Sequence, residues 1–100
     1  MRVILSTCAN MEEAKKIARA LVKEKRAACV NIVPRILSIY TWKEEVVEDE
    51  EVLLIIKALE FERVRERIRE LHSYEVPEII ALEISEGDEE YLKWMREVLV

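Results

Sequence analysis

The chain has 100 residues, 51% of them hydrophobic and 37% charged, which is enough apolar material for one packed domain over residues 1–100. Its formal net charge of −5 argues against a general nucleic-acid or anionic-membrane binder, since such proteins are normally basic. No signal-peptide pattern is visible, and no run of about 18 apolar residues predicts a membrane span. Cys8 and Cys29 lack CxxC spacing, so we expect reduced thiols in a cytoplasmic protein.

The first quarter of the chain predicts a strand followed by an amphipathic helix. Residues 2–8 form a short apolar run that is typical of a buried strand. Asn10 then offers a helix N-cap, and Glu13 follows it at capping-box spacing. Beyond it, apolar residues recur at helical spacing and predict a helix of about four turns. These apolar residues are Ala14, Ile17, Ala18, Leu21 and Val22.

A long β-hairpin is predicted next. Apolar runs at 28–33 and 36–42 are separated by Pro34, which indicates an edge strand, a bulge or a bend. Residues 43–45 are predicted to form the turn, and the return strand runs to Lys57.

The last part of the chain predicts a helix from Glu60, a loop at 72–77, a strand at 78–84 and a final helix capped by Asp88. The element order is therefore β-α-β-β-α-β with an extra C-terminal helix. This order predicts an α+β, ferredoxin-like sandwich with both main helices on one face of a four-stranded sheet.

The central strands of this sheet are apolar on both faces. In the return strand of the hairpin, Val52, Leu54 and Ile56 point one way, while Leu53 and Ile55 point the other way. A lone two-layer domain would leave one apolar face in water, which invites aggregation. We therefore expect a homo-oligomer whose other subunits cover that face; the alternative is a monomer whose hairpin folds back over the sheet.

Several motifs, in order along nearly the whole chain, resemble those of the CutA (divalent-cation tolerance) family. They are Ala28-Cys29-Val30-Asn31-Ile32, the aromatic hairpin Tyr40-Thr41-Trp42 with Glu50-Glu51-Val52, the loop and strand His72-Ser73-Tyr74-Glu75-Val76-Pro77-Glu78-Ile79, and the terminal Tyr91-Leu92-Lys93-Trp94. Two positions depart from the family pattern. Ser73 stands where proline is usual, and Glu44 stands near a turn where glycine is common.

The resemblance implies a ferredoxin-like homotrimer in which long hairpins wrap neighbouring subunits. It also implies a protein that binds divalent metal ions, copper especially, and gives tolerance to them. The family has no established catalytic reaction, so the resemblance implies no enzyme and no cofactor needed for folding.

Three side chains are candidate metal ligands: Cys8, Cys29 and His72. Thiolates bind soft metals such as copper, and Cys8, at a strand end before a helix N-terminus, is expected to be the more exposed candidate and to have a lowered thiol pKa. Each also has a purely structural interpretation. Cys29 between Ala28 and Val30 suits a packed core position, and His72 just past a helix suits a cap of its C-terminal carbonyls.

A cleft between subunits is the expected pocket, and Trp42, Tyr74 and His72 are predicted to line it. The predicted cleft and interface residues are Tyr40, Trp42, Glu50, Tyr74 and Trp94. The aromatic residues among them are more commonly interface or core anchors. Six carboxylates at 44–51 attract hard cations, but they also suit a solvated strand that resists edge aggregation.

Three other functions share this topology. An acyl-phosphate hydrolase needs an anion cradle beside an arginine, which a chain with one glycine and no glycine-rich loop does not predict. An RNA-binding domain needs exposed aromatics on central strands, which here carry Val, Leu and Ile. The remaining alternative is a PII-like trimer that binds a small ligand in its intersubunit clefts, for signalling or scaffolding.

Overall fold

The computed structural model describes residues 1–100 as a four-stranded antiparallel sheet and three helices. The elements are β1 Arg2–Cys8, α1 Met11–Lys23, β2 Cys29–Trp42, β3 Glu45–Ala58, α2 Phe61–Leu71, β4 Ile80–Glu83 and α3 Glu89–Val98. The strand order is β2-β3-β1-β4. The predicted α+β order, with its long hairpin and extra C-terminal helix, is therefore confirmed.

Side-chain caps account for where α1 and α3 begin. Asn10 caps α1 by accepting the Glu13 N–H at 2.8 Å, and Asp88 caps α3 by accepting the Tyr91 N–H at 3.4 Å. The carboxylate of Glu13 reaches back to the N–H of Ala9, at 3.4 Å. This is the reciprocal bonding of a capping box displaced by one residue, and it fixes Glu13 close to the end of β1.

One face of the sheet forms the core against α1 and α2. Ile4 pairs with Ile56 and Cys8 with Val52, and all four side chains are buried in one cluster. The helices contribute Ala14, Ile17, Leu21, Val64 and Ile68 to the same cluster. Cys8 is thus a core residue and not the more exposed thiol that its place at a strand end predicted.

The opposite face is incompletely covered within this chain. Ile80 and Leu82 of β4 lie beside Leu5 and Val3 of β1, and they are 52% and 57% exposed. Helix α3 has a single buried side chain, Met95. The second apolar face predicted from the strand pattern is present, and the chain itself leaves part of it in water.

The hairpin extends beyond the rest of the sheet. β1 pairs with β3 only over Val52–Ala58, so residues 45–51 pair with β2 alone. The edge strand β2 carries a bulge between Val33 and Ile36, which matches the edge and bulge predicted at Pro34. The turn is Lys43 and Glu44 only, both with positive φ, and Glu45 already belongs to β3.

One further sequence-based boundary differs from the structure. The last strand spans Ile80–Glu83, shorter than the predicted 78–84, because only four residues pair with β1. None of the three helices has the length and apolar content needed to cross a membrane.

Candidate functional site

Three potential metal-ligating side chains converge between the end of β1, the start of α1 and the end of α2. One ligand atom each of Cys8, Glu13 and His72 lies within 4.8 Å of the other two. We refer to these three residues as the Cys8 cluster. Two of its members, Cys8 and His72, were predicted as ligands. Glu13 was missed, because its capping-box position gave it a structural explanation.

The imidazole of His72 is held by hydrogen bonds at both ring nitrogens. Nδ1 accepts the backbone N–H of Tyr74 at 3.0 Å, so Nε2 carries the proton and donates to the carbonyl of Thr7 at 2.7 Å. The predicted cap by the ring is not formed; the backbone N–H of His72 bonds the carbonyl of Ile68 instead. A metal that binds His72 must therefore replace one of the two ring hydrogen bonds.

Cys8 is fully buried in this cluster. Burial, reinforced by the carboxylates of Glu13 and Glu51, raises the pKa of the Cys8 thiol to about 12. The thiol is therefore protonated at neutral pH, and the lowered pKa predicted from its place before a helix N-terminus is wrong. A metal bound to the sulfur must displace this proton. The positive charge of the metal would also offset the two carboxylates, which are part of the reason that the pKa of Cys8 is raised.

Glu13 connects the start of α1 to the loop that follows α2. Its Oε2 accepts the N–H of Ser73 at 2.9 Å, and its other carboxylate oxygen accepts the N–H of Ala9. Although partial burial opposes ionisation, the hydrogen bonds with Ser73 and the nearby His72 lower the pKa of Glu13 below its ordinary value. The cluster thus offers an ionised oxygen, an imidazole nitrogen and a sulfur. This mixed donor set suits borderline and soft metals such as zinc and copper.

The other predicted site residues lie elsewhere in the chain. Cys29 is the first residue of β2. Its thiol lies 3.9 Å from the Lys57 ammonium and is not part of the Cys8 cluster. Trp94 packs at 5.5 Å against Tyr91 on α3. Glu50 is on the exposed hairpin, where it forms an ion pair with Arg35 at 3.6 Å.

A cavity of about 570 Å³ lies next to the Cys8 cluster, between the hairpin and the loop that follows α2. The residues that line it are Thr7, Ser38, Ile39, Tyr40, Trp42, Glu51, Tyr74, Glu75, Val76 and Glu78. We refer to it as the hairpin cavity. Three predicted cleft residues, Tyr40, Trp42 and Tyr74, are on its wall. His72 is not, although its ring packs 4.7 Å from that of Tyr74.

Glu51, and not its neighbour Glu50, is the acidic residue of β3 that lines this cavity. The Tyr74 hydroxyl donates to Glu51 Oε2 at 2.7 Å. Burial, followed by the hydrogen bond to Glu51, raises the pKa of Tyr74, so this hydroxyl stays protonated. The alternation of side chains along β3 could have identified Glu51 in the sequence. Glu51 shares a strand face with Leu53 and Ile55, and it is the acid closest to the apolar run.

Comparisons with known protein sequences all point to one protein family. Residues 2–98 match the sequence model of a family described as "CutA1 divalent ion tolerance protein". The chain is 55% identical over 97 residues to the divalent-cation tolerance protein CutA of Thermus thermophilus, covering 95% of this chain and 94% of that protein. It is 47% identical to protein CutA of Homo sapiens, covering 92% of this chain but only 52% of the human protein.

Solved structures agree with the fold. The Thermus thermophilus divalent cation tolerance protein (Cut A1) superposes with a TM-score of 0.93 at 54% identity, with 97% of each chain covered. The periplasmic divalent cation tolerance protein CutA of Archaeoglobus fulgidus superposes with a TM-score of 0.94 at 36% identity, over 100% of both chains. A relative from Arabidopsis thaliana, 47% identical, is named as chloroplastic. Relatives of this chain are thus named for more than one compartment.

Proposed function

This chain belongs to the CutA1 divalent ion tolerance protein family, and from that premise we propose that it binds divalent or soft metal ions, copper among them. In this proposal it acts as a cytoplasmic homotrimer that confers metal tolerance without catalytic turnover. The convergence of Cys8, Glu13 and His72 is the observation that carries the metal-binding proposal.

The chemistry of the Cys8 cluster supports a soft or borderline ion. A hard ion such as Ca²⁺ takes six to eight oxygen ligands, whereas this cluster supplies one nitrogen, one sulfur and one carboxylate. Because the thiol of Cys8 must lose its proton, metal binding releases a proton and becomes tighter as the pH rises.

Native mass spectrometry of the purified protein with Cu(I) or Zn(II) tests this proposal. We expect one metal ion per chain, lost in Cys8→Ala and in His72→Ala, and weakened in Glu13→Gln. Cys29→Ala is the matched control, since it removes a thiol outside the cluster and should leave the uptake unchanged. Uptake that is lost in Cys29→Ala but kept in Cys8→Ala would place the site elsewhere. No uptake at micromolar metal would refute direct binding.

The hairpin cavity favours a second candidate function, a PII-like trimer that binds a small ligand in clefts between subunits. Its volume lies in the range of small-molecule sites, and half of its lining residues are hydrophobic. In this alternative the ligand, and not a metal, is the signal or the scaffold component. Binding of a small molecule to protein in which Cys8→Ala has abolished metal uptake would separate the two functions.

A further inference from the structure

Glu51 is a buried acid without a cationic partner. It is 8% exposed, and none of the ion pairs of the chain includes it. The Tyr74 hydroxyl satisfies Oε2, while Oε1 receives no hydrogen bond from the chain and belongs to a residue that lines the hairpin cavity. Since buried carboxylates in proteins are normally paired with a positive charge, a cation in the cavity would stabilise this residue.

The rest of the wall has the same preference. Glu75 and Glu78 add two further carboxylates, and no Lys, Arg or His lines the cavity. An anionic ligand such as a nucleotide phosphate would be repelled by this wall, whereas a cation would be attracted. The charge of the wall thus fixes the sign of the ligand.

The aromatic side chains indicate what kind of cation fits. Tyr40, Trp42 and Tyr74 lie on the wall together with Ile39 and Val76, so half of the lining residues are hydrophobic and suit the alkyl groups of an organic cation. Aromatic faces attract ammonium groups, most strongly those of Trp. The Lys43 ammonium already lies 5.9 Å from the centroid of the Trp42 ring, within the range of this attraction.

We propose that the hairpin cavity binds a small organic ammonium ion, with Glu51 as its counter-ion and the aromatic rings as its apolar wall. This site shares no side chain with the Cys8 cluster. The proposal therefore goes beyond metal binding, and it defines the ligand class for the small-ligand alternative.

Choline and its neutral isostere 3,3-dimethylbutan-1-ol are suitable probes, because they differ in charge and hardly in shape. Calorimetric titration of the full chain in its native assembly should show choline binding at least about tenfold more tightly than the isostere. Glu51→Gln removes the charge and keeps an oxygen for Tyr74, and it should weaken choline binding about tenfold. Glu48→Gln makes the same change in net charge on the exposed part of β3, outside the cavity, and should have no effect.

Several outcomes would overturn the proposal. Equal affinity for choline and the isostere would mean an apolar pocket with no preference for charge. Equal losses in Glu51→Gln and Glu48→Gln would mean general attraction to an acidic hairpin. No choline binding by the native assembly would mean that a neighbouring chain fills the cavity. The Cys8→Ala variant separates this test from that of metal binding, since it should lose metal uptake and keep choline affinity.

Discussion

At the scale of single residues, Glu13 combines a structural role with its place in the Cys8 cluster. It is in the first turn of α1, it accepts hydrogen bonds from Ala9 and from Ser73, and it lies close to His72. Charge-assisted hydrogen bonds of this kind are about twice as strong as those between neutral groups. The carboxylate of Glu13 should therefore stabilise the fold in addition to any contact with metal.

Removing this charge should lower the free energy of unfolding by an amount that depends on pH in a defined way. Because the pKa of Glu13 is lowered in the folded chain, its contribution is fully present above its ordinary value of 4.5 and is lost as the pH falls through the lower folded value. Glu13→Gln should reduce the free energy of unfolding by about 1 kcal/mol at pH 7. The difference from the unmodified chain should shrink as the pH falls below 4.5 and vanish under strongly acidic conditions.

Urea unfolding at a fixed protein concentration across this pH range measures the difference. Glu12→Gln is the matched control, because Glu12 stands in the same helical turn but is exposed and makes no side-chain hydrogen bond to the chain. An equal loss in both variants would show that Glu13 acts only through the helix dipole.

The sequence identified Cys8 and His72 as candidates one by one, but not their convergence. The residues whose contacts join the cluster are far apart in the sequence. His72 and Thr7 are 65 positions apart, and Ser73 and Glu13 are 60 positions apart. Hydrophobic periodicity and capping rules describe local structure, so they carry no information on such pairs. The burial of Cys8 was missed for the same reason, since the core cluster that contains it includes residues as distant as Val64 and Ile68 of α2.

At the scale of secondary-structure elements, the hairpin turn is the least favourable local conformation. Lys43 has φ of 50° and Glu44 has φ of 68°, which is the geometry of a two-residue type I′ turn. Side chains with a Cβ resist this region by roughly 1–2 kcal/mol per residue, and Asn-Gly is the preferred pair.

Replacing the turn by Asn-Gly should therefore stabilise the chain. The double variant Lys43→Asn with Glu44→Gly should raise the free energy of unfolding by about 1 kcal/mol, because the relief of strain exceeds the entropy cost of glycine. Chemical denaturation at a fixed protein concentration measures the change. Glu45→Gly is the control, since Glu45 is already in β3, and glycine there should destabilise. A destabilised double variant would mean that the side chains of the turn make contacts worth more than the strain.

Element order was predictable because each element carries its own local signal. Asn10 and Asp88 cap the helices that they were expected to cap, and Pro34 lies beside a bulge on the edge strand. The length of β4 was not predictable, because the apolar pattern continues through Ile84 while the pairing with β1 stops at Glu83. The end of a strand depends on its neighbour as well as on its own residues.

At the scale of the whole molecule, the uncovered sheet face and the projecting hairpin have one explanation. Leu37 and Val46 of the hairpin are exposed, as are Ile80 and Leu82 of β4. A single chain that kept these surfaces in water would be prone to aggregation. The proposed homotrimer would cover them, because each hairpin extends far enough from its own sheet to reach another chain.

Placing a charge in this face should therefore dissociate the assembly. Burying a leucine side chain contributes about 2 kcal/mol per subunit, and a lysine in its place must also be desolvated, so Leu82→Lys should shift the protein to the single-chain mass of 11.8 kDa. Sedimentation equilibrium at micromolar concentration measures the mass, which should be three times larger for the unmodified chain. Circular dichroism checks that the variant keeps its fold.

Val22→Lys is the matched control for this substitution. Val22 is also exposed, but it lies on α1, on the other side of the sheet, so its replacement should leave the mass unchanged. If both variants keep the larger mass, the chains associate through the hairpins and not through β4. If the unmodified chain already sediments at 11.8 kDa, the apolar face tolerates water and the homotrimer proposal is wrong.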